Sequence, residues 1–177
     1  MIEYHPVIIE HPKVIHVVSA WVGIEKILKD IIIRFNLKTD IALEFGVECG
    51  YSTTALANYF KQVIGVDPFY DKVGFRFADV QEMLCAWNNI TLHKSRFEDY
   101  ILHENRYFDL IHIDIIHQYI PTYDCGDWAL QHSNCVCFHD TQSFPAVMKA
   151  CEDLTSKYKC RFYNYPYSNG LGILWRC

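Results

Sequence analysis

Residues 41–54 read IALEFGVECGYSTT and residues 63–69 read VIGVDPF, and these two stretches decide the fold. The apolar run Ile41–Phe45 leads into a loop carrying Gly46 and Gly50, after which Ser52, Thr53 or Thr54 can begin a helix. A strand–loop–helix junction of this kind presents free backbone N–H groups to a ligand, and its glycines let the ligand come close. The next apolar run ends in Asp67, 21 residues after Gly46, where an acid is placed to hydrogen-bond ribose hydroxyls. The loop is not a dinucleotide fingerprint, because its spacing is Gly46-x-x-x-Gly50, with Glu48 inside it and Glu44 just before it. No Gly-Lys-Ser/Thr follows, so it is not a Walker loop either. Two carboxylates would repel a pyrophosphate but suit a sulfonium and its amino group, which points to an adenosyl ligand without phosphates. The competing reading is a junction whose glycines serve packing alone.

Outward from this junction the chain alternates. Short, nearly continuous apolar runs at Ile41–Phe45, Val63–Val66, Ile90–Leu92, Phe108–Ile113 and Cys135–Phe138 predict parallel strands covered on both faces. Between them, helical spacing predicts Ser19–Phe35 (with Ser19 as N-cap), Ser52–Phe60, Asp79–Trp87, Tyr123–His132 and Phe144–Tyr158. Cys160–Tyr165 and Ile173–Arg176, separated by a segment containing Asn169-Gly170, read as a terminal hairpin. The pattern predicts one three-layer α/β/α domain over residues 1–177, with a mostly parallel sheet and an antiparallel C-terminal hairpin. Residues 1–39 form an N-terminal segment and helix, and 40–177 the cofactor-binding and catalytic sheet.

Composition narrows the function classes. With 51% hydrophobic residues the 177-residue chain has ample core material, which excludes disorder. Sixteen Lys+Arg against 21 Asp+Glu leave a net charge of −5, which argues against nucleic acid and anionic membrane as partners. The eight cysteines, at positions 49, 85, 125, 135, 137, 151, 160 and 177, form no CxxC pair or compact framework. Cys135 and Cys137 fall on one face of a strand and read as core. The first 21 residues lack a basic start with a clean apolar run, and no membrane-length apolar stretch exists. The expectation is a reduced, soluble, cytoplasmic domain.

Five segments in this order, EFGVECGYST, GVDPF, FDLIHIDIIHQY, CVCFHDT and NGLGIL, resemble the class I S-adenosylmethionine-dependent methyltransferases. The resemblance runs from about Asp40 to the C-terminus. It is nearest the small branch with E-x-G-x-x-x-G-x-S-T, ID-G-x-H-x-Y and HDT signatures. It implies a Rossmann-like sheet of order 3-2-1-4-5-7-6 with strand 7 antiparallel. It also implies that Glu44, Gly46 and Gly50 line the methionine end of S-adenosylmethionine, with Ser52 capping the helix there. Asp67 would hold the ribose, Pro68 and Phe69 would lie against the adenosine, and Ser95, Arg96 and Phe97 would surround the adenine. An ordinary core aromatic is the competing reading for Phe97.

Chemistry in an open α/β sheet sits beyond the carboxyl ends of the strands, where Asp114, His117, His139 and Asp140 fall. Asp114 and Asp140, with Thr141 beside them, are expected as oxygen ligands for Mg²⁺, which would orient and acidify a substrate hydroxyl. His117 is the expected general base, since imidazole titrates near neutrality, and His139 is the second choice. In catechol O-methyltransferase-like relatives the corresponding position holds a lysine base. Ile115 and Ile116 depart from the Gly and polar residue of the family pattern, which weakens the metal expectation and makes the pocket more apolar. The expected reaction is O-methylation of a small-molecule or sugar-like hydroxyl. Selectivity would come from Phe69–Ala78, Ile115–Gly126 or a second subunit of a homo-oligomer. The alternatives are an inactive adenosyl-ligand-binding module and a nucleotide-dependent oxidoreductase.

Overall fold

Apolar runs that alternate with amphipathic segments bury themselves on both faces of one sheet. The structure, a computed structural model, describes residues 1–70 and 75–176. Eight strands are β1 (Ile2–Glu3), β2 (Ile41–Phe45), β3 (Gln62–Asp67), β4 (Ile90–Lys94), β5 (Leu110–Ile113), β6 (Cys135–His139), β7 (Arg161–Tyr165) and β8 (Leu171–Trp175). They lie in the order β1-β7-β8-β6-β5-β2-β3-β4. All pairings are parallel except those of β8 with β6 and β7. With β1 set aside, this is the expected 3-2-1-4-5-7-6 order, and the terminal hairpin is β7–β8.

Helices α1 (Leu28–Arg34), α2 (Tyr51–Ala57) and α3 (Phe77–Met83) cover one face, where Ile27, Ile31, Leu56 and Val80 share a core with Ala42, Val63 and Leu110. Helices α4 (Phe97–Tyr100), α5 (Tyr119–His132) and α6 (Pro145–Tyr158) cover the other, where Leu130 and Leu154 meet Leu43, Ile111 and Val136. Side chains alternate along each strand, so neighbouring residues such as Ala42 and Leu43 feed opposite cores. Cys135 and Cys137 are both fully enclosed in the first of these cores, as their spacing predicts. Among the described residues no helix is long and apolar enough to cross a membrane.

Four elements differ from expectation. Ser19 caps no helix: its Oγ accepts the Trp21 N–H at 3.1 Å, and Gly23 at φ 103° breaks the chain before a 3-10 turn over Ile24–Ile27. Ser52 likewise sits inside the first turn of α2, because Gly50 at φ 86° holds the N-cap. Helix α5 begins at Tyr119 rather than Tyr123, with Pro121 in its first turn, where no N–H is needed. Strand β1, too short to show a pattern, pairs with β7 and is pinned by Tyr4, whose hydroxyl donates to Asp30 at 2.6 Å. Residues 71–74 of the stretch expected to set selectivity lie outside the described residues.

Candidate active site

The sheet reverses its winding between β2 and β5, and a crevice opens beyond the strand ends at that switch point. It holds a cavity of about 660 Å³, within the range of small-molecule sites. Residues from the carboxyl ends of β2, β3, β5 and β6 line it, and the turn at Ser19, Ala20 and Trp21 closes it from the N-terminal side.

At one end lie Asp67, Pro68, Tyr70, Arg96 and Phe97. Asp67 clamps the loop after β2: its Oδ2 accepts the N–H groups of Val47 (2.9 Å) and Glu48 (3.0 Å), and its Oδ1 that of Phe69 (2.6 Å). Arg96 is held by Glu98 through two hydrogen bonds, at 2.6 and 3.2 Å. Phe97 packs edge-on against Phe45 and also faces the cavity, so it serves both the core and the site. Phe69, expected against the adenosine, instead turns into the core beside Phe77, and Tyr70 takes the place at the cavity wall. Ser95 is absent from the wall; its N–H donates to the Asp67 carbonyl and its hydroxyl to the Arg96 carbonyl.

The loop itself is built around close approach. Gly46, at φ 89°, lies so near the strand-end backbone that a Cβ would stand 1.8 Å from the Asp114 carbonyl oxygen. Gly50 lies outside the cavity wall, packed on Leu84. Glu44, expected at the methionine end, is likewise outside the wall and fully enclosed. It takes the Thr53 hydroxyl on one oxygen and His112 Nδ1–H at 2.9 Å on the other. His112 Nε2 then accepts the Trp21 indole N–H at 3.2 Å. This relay fixes a neutral His112 tautomer and ties the closing turn to the floor of the site. Sequence reasoning missed it, since His112 is one of nine histidines and Trp21 stands 91 residues away.

At the other end Asp114, His117, His139 and Asp140 converge. His117 Nε2 is 2.7 Å from Asp140 Oδ2 and 3.4 Å from Asp114 Oδ1. Its ring stacks on Phe144 at 4.0 Å, which fixes its plane. Hydrogen bonds donated to Asp114 and Asp140 push the His117 pKa up to about 9, against some loss from burial. Burial alone would raise the Asp114 pKa, but His117 and His139 hold its carboxyl well below the usual range. His139 faces Asp114 through Nδ1 at 3.0 Å and the Ser168 carbonyl through Nε2 at 3.1 Å. Both partners only accept, so both ring nitrogens carry protons; Asp114 raises its pKa although burial opposes the charge. That leaves His139 without a free nitrogen and removes it as the second-choice base. Asp140 sits at φ 65°, a left-handed conformation uncommon outside glycine, which turns its carboxylate toward the imidazoles.

Asp114, His117 and Asp140 offer donor atoms within 4.8 Å of one another, the spacing of a metal-ligand set. The set fits Mg²⁺ less well than the expected oxygen ligands would, however. Thr141, expected as the third oxygen ligand, is buried outside the cavity wall and donates its hydroxyl to Asn164 at 2.6 Å. His117 Nε2, a nitrogen donor, bonds both carboxylates, so a cation that prefers oxygen would have to displace it and take Asp114 and Asp140 with water.

The comparisons with known proteins agree with this geometry. Residues 43–141, more than half of the chain, match the model of a methyltransferase domain family, and the chain belongs to that family. Its sheet is that of the class I S-adenosylmethionine-dependent methyltransferases. A Staphylococcus aureus protein proposed to be a caffeoyl-CoA O-methyltransferase is similar at 14% identity and TM-score 0.71, over 92% of this chain and 86% of that one. A Klebsiella pneumoniae protein proposed to be an O-methyltransferase is similar at 18% identity and TM-score 0.65, over 90% and 81%. The Podospora anserina methyltransferase PaMTH1, bound to S-adenosylhomocysteine, gives 15% identity and TM-score 0.64, over 78% and 72%. No curated protein is a significant sequence match.

Proposed function

We propose that the protein transfers the methyl group of S-adenosylmethionine to the oxygen of a small-molecule hydroxyl, with His117 receiving the proton. The observation that carries this reading is one cavity with an acid-anchored glycine loop at one end and the Asp114–His117–Asp140 cluster at the other. The adenine would lie by Arg96 and Phe97, the ribose by Asp67, and the methionine portion along residues 46–48. In the transfer, an acceptor oxygen lone pair attacks the methyl carbon as the carbon–sulfur bond breaks, leaving neutral S-adenosylhomocysteine. The hydroxyl proton passes to Nδ1 of the neutral His117 ring, whose Nε2–H stays on Asp140 and Asp114, and the two carboxylates stabilise the imidazolium that results. The O-methyltransferase names of two similar structures support oxygen as the acceptor atom.

Calorimetry with S-adenosylhomocysteine tests the cofactor half. The wild-type protein should bind it, and Asp67→Ala should weaken binding by ~1.5–3 kcal/mol through lost charge-assisted hydrogen bonds. Absence of binding at millimolar ligand removes the cofactor reading. Cofactor binding without turnover on any hydroxyl acceptor would favour a catalytically inactive adenosyl-ligand-binding module. Turnover, once an acceptor is found, should survive chelation and stay unchanged on adding Mg²⁺. Activity lost to a chelator and restored by Mg²⁺ would reinstate the metal site.

A further inference from the structure

Five carboxylates line the cavity, and among the described residues only one of them lacks a hydrogen bond or ion pair. Asp67 is bound by three backbone N–H groups, Glu98 by Arg96, and Asp114 and Asp140 by the imidazoles. Glu48 is the exception, exposed at the tip of the glycine loop with its backbone fixed at φ 50° and its N–H held by Asp67. The loop locates it: Glu48 lines the cavity with its N–H on Asp67, and two residues earlier Gly46 stands against the Asp114 carbonyl, so the loop runs between those two acids. Partial burial, then the charges of Asp114 and Asp67, push the Glu48 pKa up, the mark of a carboxylate short of positive charge. Asp67 marks the ribose end and Asp114 the methyl-transfer end. The cofactor sulfur is bonded to both the ribose carbon and the migrating methyl, so it must lie between them.

We propose that Glu48 sets a preference for S-adenosylmethionine over S-adenosylhomocysteine by holding its carboxylate against the sulfonium. The inference rests on the cofactor reading above and goes beyond it by naming the residue that distinguishes substrate from product. The two ligands share every group except the methyl and the positive charge on sulfur. A contact that uses the adenosine or amino-acid portions therefore binds both equally and cannot discriminate. A carboxylate within a few ångströms of the sulfur can, because its attraction disappears when methyl transfer neutralises the sulfur. Transfer then leaves Glu48 without its counter-ion once more, which weakens retention of the product.

The test is the ratio of dissociation constants for the two ligands, measured by calorimetry at pH 8 in low salt. The wild-type protein should favour S-adenosylmethionine. Glu48→Gln, nearly isosteric and at an exposed position, should reduce that ratio about tenfold by weakening S-adenosylmethionine, with S-adenosylhomocysteine unchanged within about twofold. Glu48→Asp keeps the charge and should retain most of the preference, and 0.5 M NaCl should diminish it in the wild type. A ratio unchanged in Glu48→Gln, with both ligands bound, overturns the role of Glu48 and leaves the cofactor reading standing. Binding of neither ligand by the wild type overturns both.

Discussion

Replacing His117 by Ala should lower turnover by ~10²–10⁴ while leaving affinity for S-adenosylhomocysteine within a few-fold. An alcohol is a poor nucleophile until its proton has a destination, and His117 supplies one: only its Nε2 is held by the two catalytic-end carboxylates, whereas both ring nitrogens of His139 are taken by Asp114 and Ser168. Its pKa of about 9 adds a second signature. Only the neutral ring can accept a proton, and at pH 7 that form is on the order of one molecule in a hundred. In the wild type kcat/KM should therefore rise about tenfold per pH unit from neutrality and level off near pH 9. The rise should vanish in His117→Ala. Stability runs the other way, because the folded-state pKa lies above the unfolded value of 6.5. The ion-pair contribution is complete below 6.5 and is lost as pH climbs through about 9. A profile flat between pH 6 and 9 with full activity in the variant would remove His117 as the base. Asp140 would then be the group to test.

The sheet was legible in the sequence because each central strand is a nearly continuous apolar run, the pattern expected of strands buried on both faces. The run Ile41–Phe45 is β2 itself, and Val63–Val66 and Cys135–Phe138 match β3 and β6 to within a residue at each end. Helix starts were less legible. At Ser19 and Ser52 a good capping side chain stands within four residues of a glycine, and the glycine's left-handed backbone, which leaves no mark on hydrophobic periodicity, sets the boundary. Strand β1 is two residues long and owes its place to Tyr4 and the edge of β7 rather than to any pattern of its own.

Site residues were legible where a strand end fixes them. Gly46, Asp67, Asp114, His117, His139 and Asp140 all reach the one cavity, since each lies at or just past a strand's carboxyl end. Side-chain direction was not legible. Phe69 follows Asp67 by two residues, but its backbone at φ 45° swings the ring into the core and exposes Tyr70 instead. Glu44 and Thr141 lie one or two residues from cavity-facing neighbours and point to the opposite side, into buried hydrogen bonds. The protonation state of His117 follows from the two carboxylates that converge on it, 3 and 23 residues along the chain, and only the fold brings both into contact.

Gly46→Ala should be the most destabilising single change in the loop, costing about 3–5 kcal/mol, the sum of left-handed backbone strain and overpacking. A glycine in a cofactor loop is ordinarily read as room for the ligand, and on that view the variant would fold normally and lose only binding. The geometry says otherwise. The Gly46 N–H donates to the Val66 carbonyl at 2.9 Å, and the Asp114 N–H donates to the Phe45 carbonyl at 2.8 Å, so the loop is pinned between β3 and β5. A methyl group added there would meet the Asp114 carbonyl oxygen at 1.8 Å and its carbon at 2.5 Å. That obstacle is backbone, which cannot rotate away as a side chain can. Gly50 supplies the comparison, since its φ of 86° is nearly the same but the atoms in the way belong to the Leu84 side chain, the nearest at 2.8 Å. Gly50→Ala should therefore cost only about 1–2 kcal/mol, chiefly left-handed strain. Thermal unfolding without ligand measures both, and Gly46→Ala should lower the Tm by roughly 10 °C or more, well beyond Gly50→Ala. Equal Tm losses for the two variants would show that strain alone sets the cost. A Gly46→Ala protein as stable as the wild type but unable to bind S-adenosylhomocysteine would restore the glycine to a purely ligand-facing role.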